Sequence, residues 1–118
     1  AAVALTEALH GELTMLGAPI GVSLLAPGPV RSAIFENPFG TVVHPRTEAF
    51  VAGLRSMLET YGLTPDAFAE RVFEGLAKGQ FWLFPQPEVL DPMLEARHQM
   101  LTERRDPPLP AGMEAADT

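Results

Sequence analysis

No cysteine occurs among the 118 residues. That absence excludes a disulfide framework, a cysteine-ligated zinc or iron–sulfur centre and a thiol nucleophile, and it accords with a reducing cytoplasm. Positive charge is also scarce. Eight Lys and Arg against fifteen Asp and Glu leave a net charge of −7, so neutralisation of a nucleic-acid backbone is not expected. No apolar run approaches the ~18–20 residues of a membrane span. No secretory signal is visible, because a basic n-region is missing and Glu7, His10 and Glu12 interrupt the first apolar stretch. Partners of both kinds, nucleic acid and membrane, are therefore not expected. A Gly-rich phosphate loop and a Gly-x-Ser-x-Gly elbow are likewise absent.

What remains is an apolar chain of domain length. Apolar residues make up 47% of it, enough to build a core and to exclude wholesale disorder. Residues 1–16 read as an amphipathic helix, with Ala2, Leu5, Leu9, Leu13 and Leu16 on one face and Gly17 as its stop. No Ser, Thr, Asp or Asn precedes it as a cap. A helix opening on Ala1-Ala2-Val3 without a cap is expected to have lost its true beginning. Residues 20–26, Ile-Gly-Val-Ser-Leu-Leu-Ala, lie between Pro19 and Pro27 and predict a short strand buried on both faces, as in a parallel sheet covered by helices.

Residues 31–47 carry the breakers Asn37-Pro38, Gly40 and Pro45 and predict a long loop. A helix follows over 46–60, with Phe50, Leu54, Met57 and Leu58 on one side. The next is the best signed: Thr64 as cap, Pro65 at the first helical position, Asp66 in the first turn, Leu63 and Phe68 placed for a hydrophobic staple, and Gly79 as the stop. Phe81-Trp82-Leu83-Phe84 predicts a second strand, whose aromatic residues read as core. Residues 88–104 predict a last helix, with Val89, Met93, Ala96 and Met100 on one side. From Asp106 to residue 118 the chain reads as a flexible tail rich in Pro, Ala and acids. Alternation of helix and strand argues an α/β fold with a parallel sheet. Two strands alone leave two bare edges, a second reason to expect a part of a larger domain.

Ligands of open α/β sheets bind beyond the carboxyl ends of the strands. Pro27-Gly28-Pro29-Val30-Arg31-Ser32 occupies that place. Its prolines fix the backbone and Gly28 admits close approach, although a sharp turn with no further role is the simpler reading of a Pro-Gly-Pro triplet. His10, His44 and His98 lack metal-ligand spacing and read as surface residues, with His44 set apart only by its place in the long loop; no metal site is expected. Tyr61 and Lys78, each the sole residue of its type, flank a helix and form no evident pair. Glu36, Glu48, Glu59, Asp66, Glu70 and Glu74 read as solvated faces and caps.

The segments Ala1-Ala2-Val3-Ala4-Leu5-Thr6-Glu7-Ala8-Leu9, Gly11-Glu12-Leu13 and Ile20 to Ser32, with its Pro27-Gly28-Pro29-Val30-Arg31-Ser32 ending, resemble the C-terminal half of the short-chain dehydrogenase/reductase family. Thr64 to Ala69 and Gly79 to Pro85 resemble its last helix and strand, so that the likeness spans about residues 1–100. The resemblance implies that residues 1–105 are the C-terminal portion of a doubly wound, Rossmann-type NAD(P)-binding domain, with two strands and about four helices in this chain. It implies that Pro27, Gly28, Pro29 and Val30 lie against the nicotinamide half of NAD or NADP. Ser32 takes the place of a Thr whose hydroxyl meets the cofactor. Residues 31–60 would be the substrate loop and its helices, with Ile34, Phe35, Phe39, Val42 and Val43 as an apolar wall for an alcohol or carbonyl substrate. Helix 1–16 would pair with a second subunit in a homo-oligomer.

Two family elements are missing from this sequence: the Thr-Gly-x-x-x-Gly-x-Gly cofactor loop and the Tyr-x-x-x-Lys pair. In the family that tyrosine is the acid or base of hydride transfer, with its pKa lowered by the lysine. By the spacing, the lysine falls just before Ala1 and the tyrosine four residues earlier. The expectation is an oxidoreductase whose catalytic residues lie outside these 118, which alone are inactive. A different reading of the same residues is a short non-enzymatic protein that binds partners, or a second copy of itself, through its apolar helix faces.

Overall fold

The computed structural model describes residues 1–36 and 44–109. Element order is α1 (Ala2–Met15), β1 (Leu24–Leu25), α2 (Pro45–Tyr61), α3 (Pro65–Ala77), β2 (Trp82–Leu83) and α4 (Pro87–Thr102). The fold is α/β, with four helices and a two-stranded parallel sheet among the described residues. Leu24 pairs with Trp82 and Leu25 with Leu83. The Leu24 N–H donates to the Phe81 carbonyl at 2.7 Å and the Ala26 N–H to the Leu83 carbonyl at 3.1 Å. Because the pair is parallel, both carboxyl ends open on the same edge. Among the described residues no helix is long and apolar enough to cross a membrane.

Local signals set the helix ends. The Thr64 hydroxyl accepts from the Ala67 N–H at 3.3 Å, Pro65 opens α3, and Asp66 sits in its first turn. α2 begins at Pro45 behind His44, whose Nδ1 accepts from the Arg46 N–H at 3.2 Å. Three helices close in one way. Gly17 and Gly79 take positive φ, 62° and 68°, after α1 and α3. Ala18 N–H reaches back to Leu13, and Gln80 N–H to Gly75, at 3.0 and 3.2 Å. This is the Schellman closure that glycine favours. α4 closes likewise, with Arg105 N–H on the Met100 carbonyl at 3.0 Å, but its left-handed residue is Arg104 at φ 56°.

The strands are shorter than expected. Residues 20–23 lie outside the ladder, and only Trp82–Leu83 of 81–84 belongs to it. Among the described residues each strand has one partner, and β structure extends only where donors and acceptors are met on the flank. Burial on both faces of β1 does not hold within this chain either, since Leu25 is 44% exposed. In the aromatic run, Leu83 is buried while Trp82 is half-exposed, which corrects the reading of that tryptophan as core. Phe81, Trp82 and Phe84 form a row with centroid spacings of 4.9 and 6.0 Å, and His10 of α1 tilts against Phe81 at 5.0 Å. Residues 106–109, the described part of the tail, are exposed and carry no helix or strand.

Leu83 is covered by α3. A Cβ on Gly75 would stand 2.0 Å from Leu83 Cδ1, so the absence of a side chain lets the helix backbone rest on the strand. Beyond this packing little is covered: among the described residues, the buried apolar side chains with a core role are Val51 and Leu83. α1 buries none of its residues, and Leu5 and Leu16 are more than 70% exposed. Total accessible surface is 9255 Å², against roughly 6,200 Å² for a compact monomer of this mass. A radius of gyration of 18.1 Å compares with about 13.5 Å for a compact domain of this length.

Candidate functional site

The turn after β1 is held from two sides. Gln86, just beyond β2 and 1% exposed, is the most buried polar side chain described. Its Oε1 accepts from the Gly28 N–H, and its Nε2 donates to the Pro29 carbonyl, both at 2.7 Å. A Cβ on Gly28 would stand 2.8 Å from that Oε1, so the close approach that glycine permits here is made by the protein's own side chain. On the other side, Val30 bridges to Leu63 in parallel. Leu63 N–H donates to the Pro29 carbonyl at 3.1 Å, and Arg31 N–H to the Leu63 carbonyl at 2.9 Å.

Gln86 is in turn carried on a braced segment. Pro85 is buried and its carbonyl accepts from Arg71 Nη1 at 2.8 Å; the same nitrogen meets Glu88 Oε1 at 2.7 Å. The Arg71 guanidinium, through that hydrogen bond, holds the Glu88 carboxyl below the ordinary carboxylate value.

Of the positions expected to line a cofactor, Pro29 is buried, Gly28 and Val30 are half-buried, and Pro27 and Ser32 are exposed. Among the described residues the Ser32 hydroxyl accepts a long bond, 3.4 Å, from the Ile34 N–H; a hydroxyl can also donate. Of the apolar wall, Phe35 is half-buried and Ile34 is 63% exposed. Phe39, Val42 and Val43 lie outside the described residues.

The structure brings Ser32 and Phe35 together in a cleft of about 210 Å³ between the 31–36 turn and α2. Arg31, Ser32, Phe35 and Glu36 form one wall; Arg55, Leu58 and Glu59 form the other. Both arginines are tethered by one N–H group. Arg31 Nη2 donates to the Glu59 carbonyl at 3.5 Å, near the open end of α2, and Arg55 Nη2 donates to the Phe35 carbonyl. Neither guanidinium lies within 4.0 Å of the Glu36 or Glu59 carboxylate.

Sequence reasoning missed Gln86 and Arg55 altogether, placed Leu58 only on the apolar side of its helix, and took Glu36 and Glu59 as solvated faces. The only local hint of Gln86 was a lone amide between two prolines at a strand end. His10 packs on Phe81 and His44 caps α2, while Tyr61 ends α2 and Lys78 caps α3. Among the described residues no three His, Asp or Glu side chains converge in a metal-sized group. Compared with protein-family models, with curated proteins and with solved structures, the chain finds no match.

Proposed function

We propose that these residues are the C-terminal portion of an NAD(P)-dependent oxidoreductase of the short-chain dehydrogenase/reductase kind, acting on an alcohol or carbonyl substrate. The observation that carries this reading is the placement of the Pro27–Ser32 turn, braced by Gln86, at the shared carboxyl edge of two parallel strands. That edge is where open α/β sheets take their ligands. Neither strand has a second strand partner among the described residues, which leaves room for further strands of a doubly wound sheet.

The residues present fit half of a nicotinamide site. Pro27 and Val30 offer apolar surface, and Ser32 offers a hydroxyl that can both donate and accept. Gly28 contributes no donor, because its N–H is taken by Gln86. Bound NAD(P) supplies the hydride acceptor or donor. This chain supplies a rigid wall for the ring on one side and, through Phe35 and Leu58, an apolar wall for the substrate on the other. The acid or base is proposed to come from a Tyr-x-x-x-Lys pair outside these residues.

The test is titration of NADH and NADPH, read by nicotinamide fluorescence, on the protein expressed from its complete natural reading frame. Micromolar to submillimolar binding that Ser32→Ala weakens roughly 3–10-fold supports the reading; no binding of either nucleotide overturns it. A second reading, a partner-binding or self-associating protein, is favoured by one observation, the leucine face of α1, none of whose residues is buried. Light scattering on the 118-residue chain tests it, with a folded dimer of defined mass as the supporting result.

A further inference from the structure

We propose that the cleft between the 31–36 turn and α2 takes an uncharged, polyhydroxylated part of a ligand, so that the substrate is a polyol or its carbonyl counterpart rather than an acid, an amine or a simple alkanol. The proposal rests on the dehydrogenase reading for the word substrate; the binding chemistry of the cleft stands on its own residues.

The charge balance of the lining decides the ligand class. Two arginines, Arg31 and Arg55, and two glutamates, Glu36 and Glu59, line one small cleft. A ligand anion is drawn to the first pair and repelled by the second, and a cation meets the reverse; neither gains net attraction. A hydroxyl is different, because it both donates and accepts. Guanidinium N–H groups donate to its oxygen and carboxylates accept its proton, and hydrogen bonds of either kind to a charged partner are the stronger ones.

The groups are also available. In nearby pairs of opposite charge the usual outcome is mutual neutralisation, yet here no Arg–Glu pair closes to 4.0 Å. The tethers explain it. Each arginine is turned toward a main-chain carbonyl, of Glu59 or of Phe35, by a single N–H. A guanidinium has five such groups, and among the described residues each of these two uses one of them on a main-chain carbonyl. Phe35 and Leu58 add an apolar surface for the C–H face that a polyol presents between its hydroxyls. The cleft volume, about 210 Å³, suits a group of four to six carbons. The Ser32 hydroxyl, in the same lining, adds a group that can both donate and accept.

The experiment is heteronuclear NMR titration of the protein from its complete reading frame with four probes: a six-carbon alditol, the matching aldonate, the matching amino-alditol and hexan-1-ol. The expected result is alditol-dependent shifts at Ser32, Phe35 and Arg55, with weaker binding of the other three. Glu59→Gln, which keeps the shape and removes a charge from an exposed position, is expected to weaken the alditol roughly 5-fold; Phe35→Leu, a variant that retains an apolar side chain, is expected to weaken it less. Tighter binding of aldonate, amino-alditol or hexan-1-ol than of alditol overturns the proposal, as does the absence of alditol shifts up to its solubility. A parallel NADPH and NADH titration separates the two readings. Alditol binding without nucleotide binding keeps the cleft and removes the dehydrogenase; nucleotide binding with no alditol binding removes the cleft alone.

Discussion

The side-chain amide of Gln86 satisfies the Gly28 N–H with its oxygen and the adjoining Pro29 carbonyl with its nitrogen, at 2.7 Å each, across 58 and 57 residues of sequence. An amide can do this because it carries acceptor and donor on one carbon, as a peptide group does; a carboxylate or an alkyl group of the same size cannot. Gln86→Leu therefore leaves buried backbone groups with fewer partners and is expected to cost about 2–4 kcal/mol in urea unfolding. Gly28→Ala pushes a methyl group onto Gln86 Oε1 and is expected to cost about 1–3 kcal/mol. The two changes share one contact, so their sum should exceed the double variant. Strict additivity would show that the clamp does not hold the turn.

Gly75 and Leu83 make the other close approach. Gly75→Ala improves intrinsic helix propensity by about 1 kcal/mol, but its methyl would overlap Leu83 Cδ1, at 2.0 Å in the unrelaxed geometry. The overlap is expected to win, with a net loss of about 1–3 kcal/mol. Shortening the partner, in Gly75→Ala with Leu83→Val, should recover part of the loss. A more stable Gly75→Ala single variant in chemical denaturation would mean that α3 does not rest on β2 as described.

Arg104 occupies the left-handed position that glycine holds after α1 and α3. A side chain there costs roughly 1 kcal/mol relative to glycine. Arg104 also donates from Nη1 to the Leu101 and Thr102 carbonyls at 2.7 and 3.0 Å, an exposed compensation. Arg104→Gly is expected to raise stability by about 0.5–1 kcal/mol, and Arg104→Val, β-branched, to lower it by more than that. Thermal unfolding of the pair of variants checks the order.

Helix ends were legible in the sequence because their signals are local. Thr64-Pro65-Asp66, Gly17 and Gly79 act through bonds to residues three to five positions away, and the structure uses each in the expected role. Strand extent was not legible, since Ile20 to Ser23 become a strand only if a neighbour meets them, and no neighbour is written in the segment itself. Gln86 was hidden for a related reason: its partners lie 57 and 58 residues back. The cleft residues Arg55, Leu58 and Glu59 sit at ordinary helical spacing and acquire meaning only when α2 is laid beside the 31–36 turn.

Acid should release the brace at Pro85. Glu88 titrates below its ordinary value of 4.5 because Arg71 stabilises the charged form. A carboxyl with a lowered folded pKa contributes stability that is fully present above its unfolded value and is lost as pH falls through the folded one. The window therefore begins near pH 4.5 and extends downward. Both partners are largely exposed, 41% and 54%, so the contribution is about 0.2–1 kcal/mol after solvent screening. Glu88→Gln should flatten the pH dependence of stability below that point and leave neutral stability nearly unchanged. Carboxyl carbon shifts of Glu88 followed through an acid titration give the direct check; a midpoint at or above the ordinary value would mean that the pair does not form.

Trp82 is the single tryptophan and is half-exposed on an otherwise unflanked strand. Its ring meets Phe81 edge-on at 4.9 Å, which fixes the indole without covering it. If further strands or a second subunit cover this sheet in the protein from its complete reading frame, Trp82 emission should shift to shorter wavelength there than in the 118-residue chain, and acrylamide should quench it less. Both changes together follow from removal of the indole from water. A concentration-dependent shift in the short chain itself would assign the cover to another copy, and would favour self-association over the dehydrogenase reading. Equal emission and equal quenching in both proteins would mean that the cover lies elsewhere, on the leucine face of α1, where Leu5 and, just past the helix end, Leu16 are the most exposed leucines.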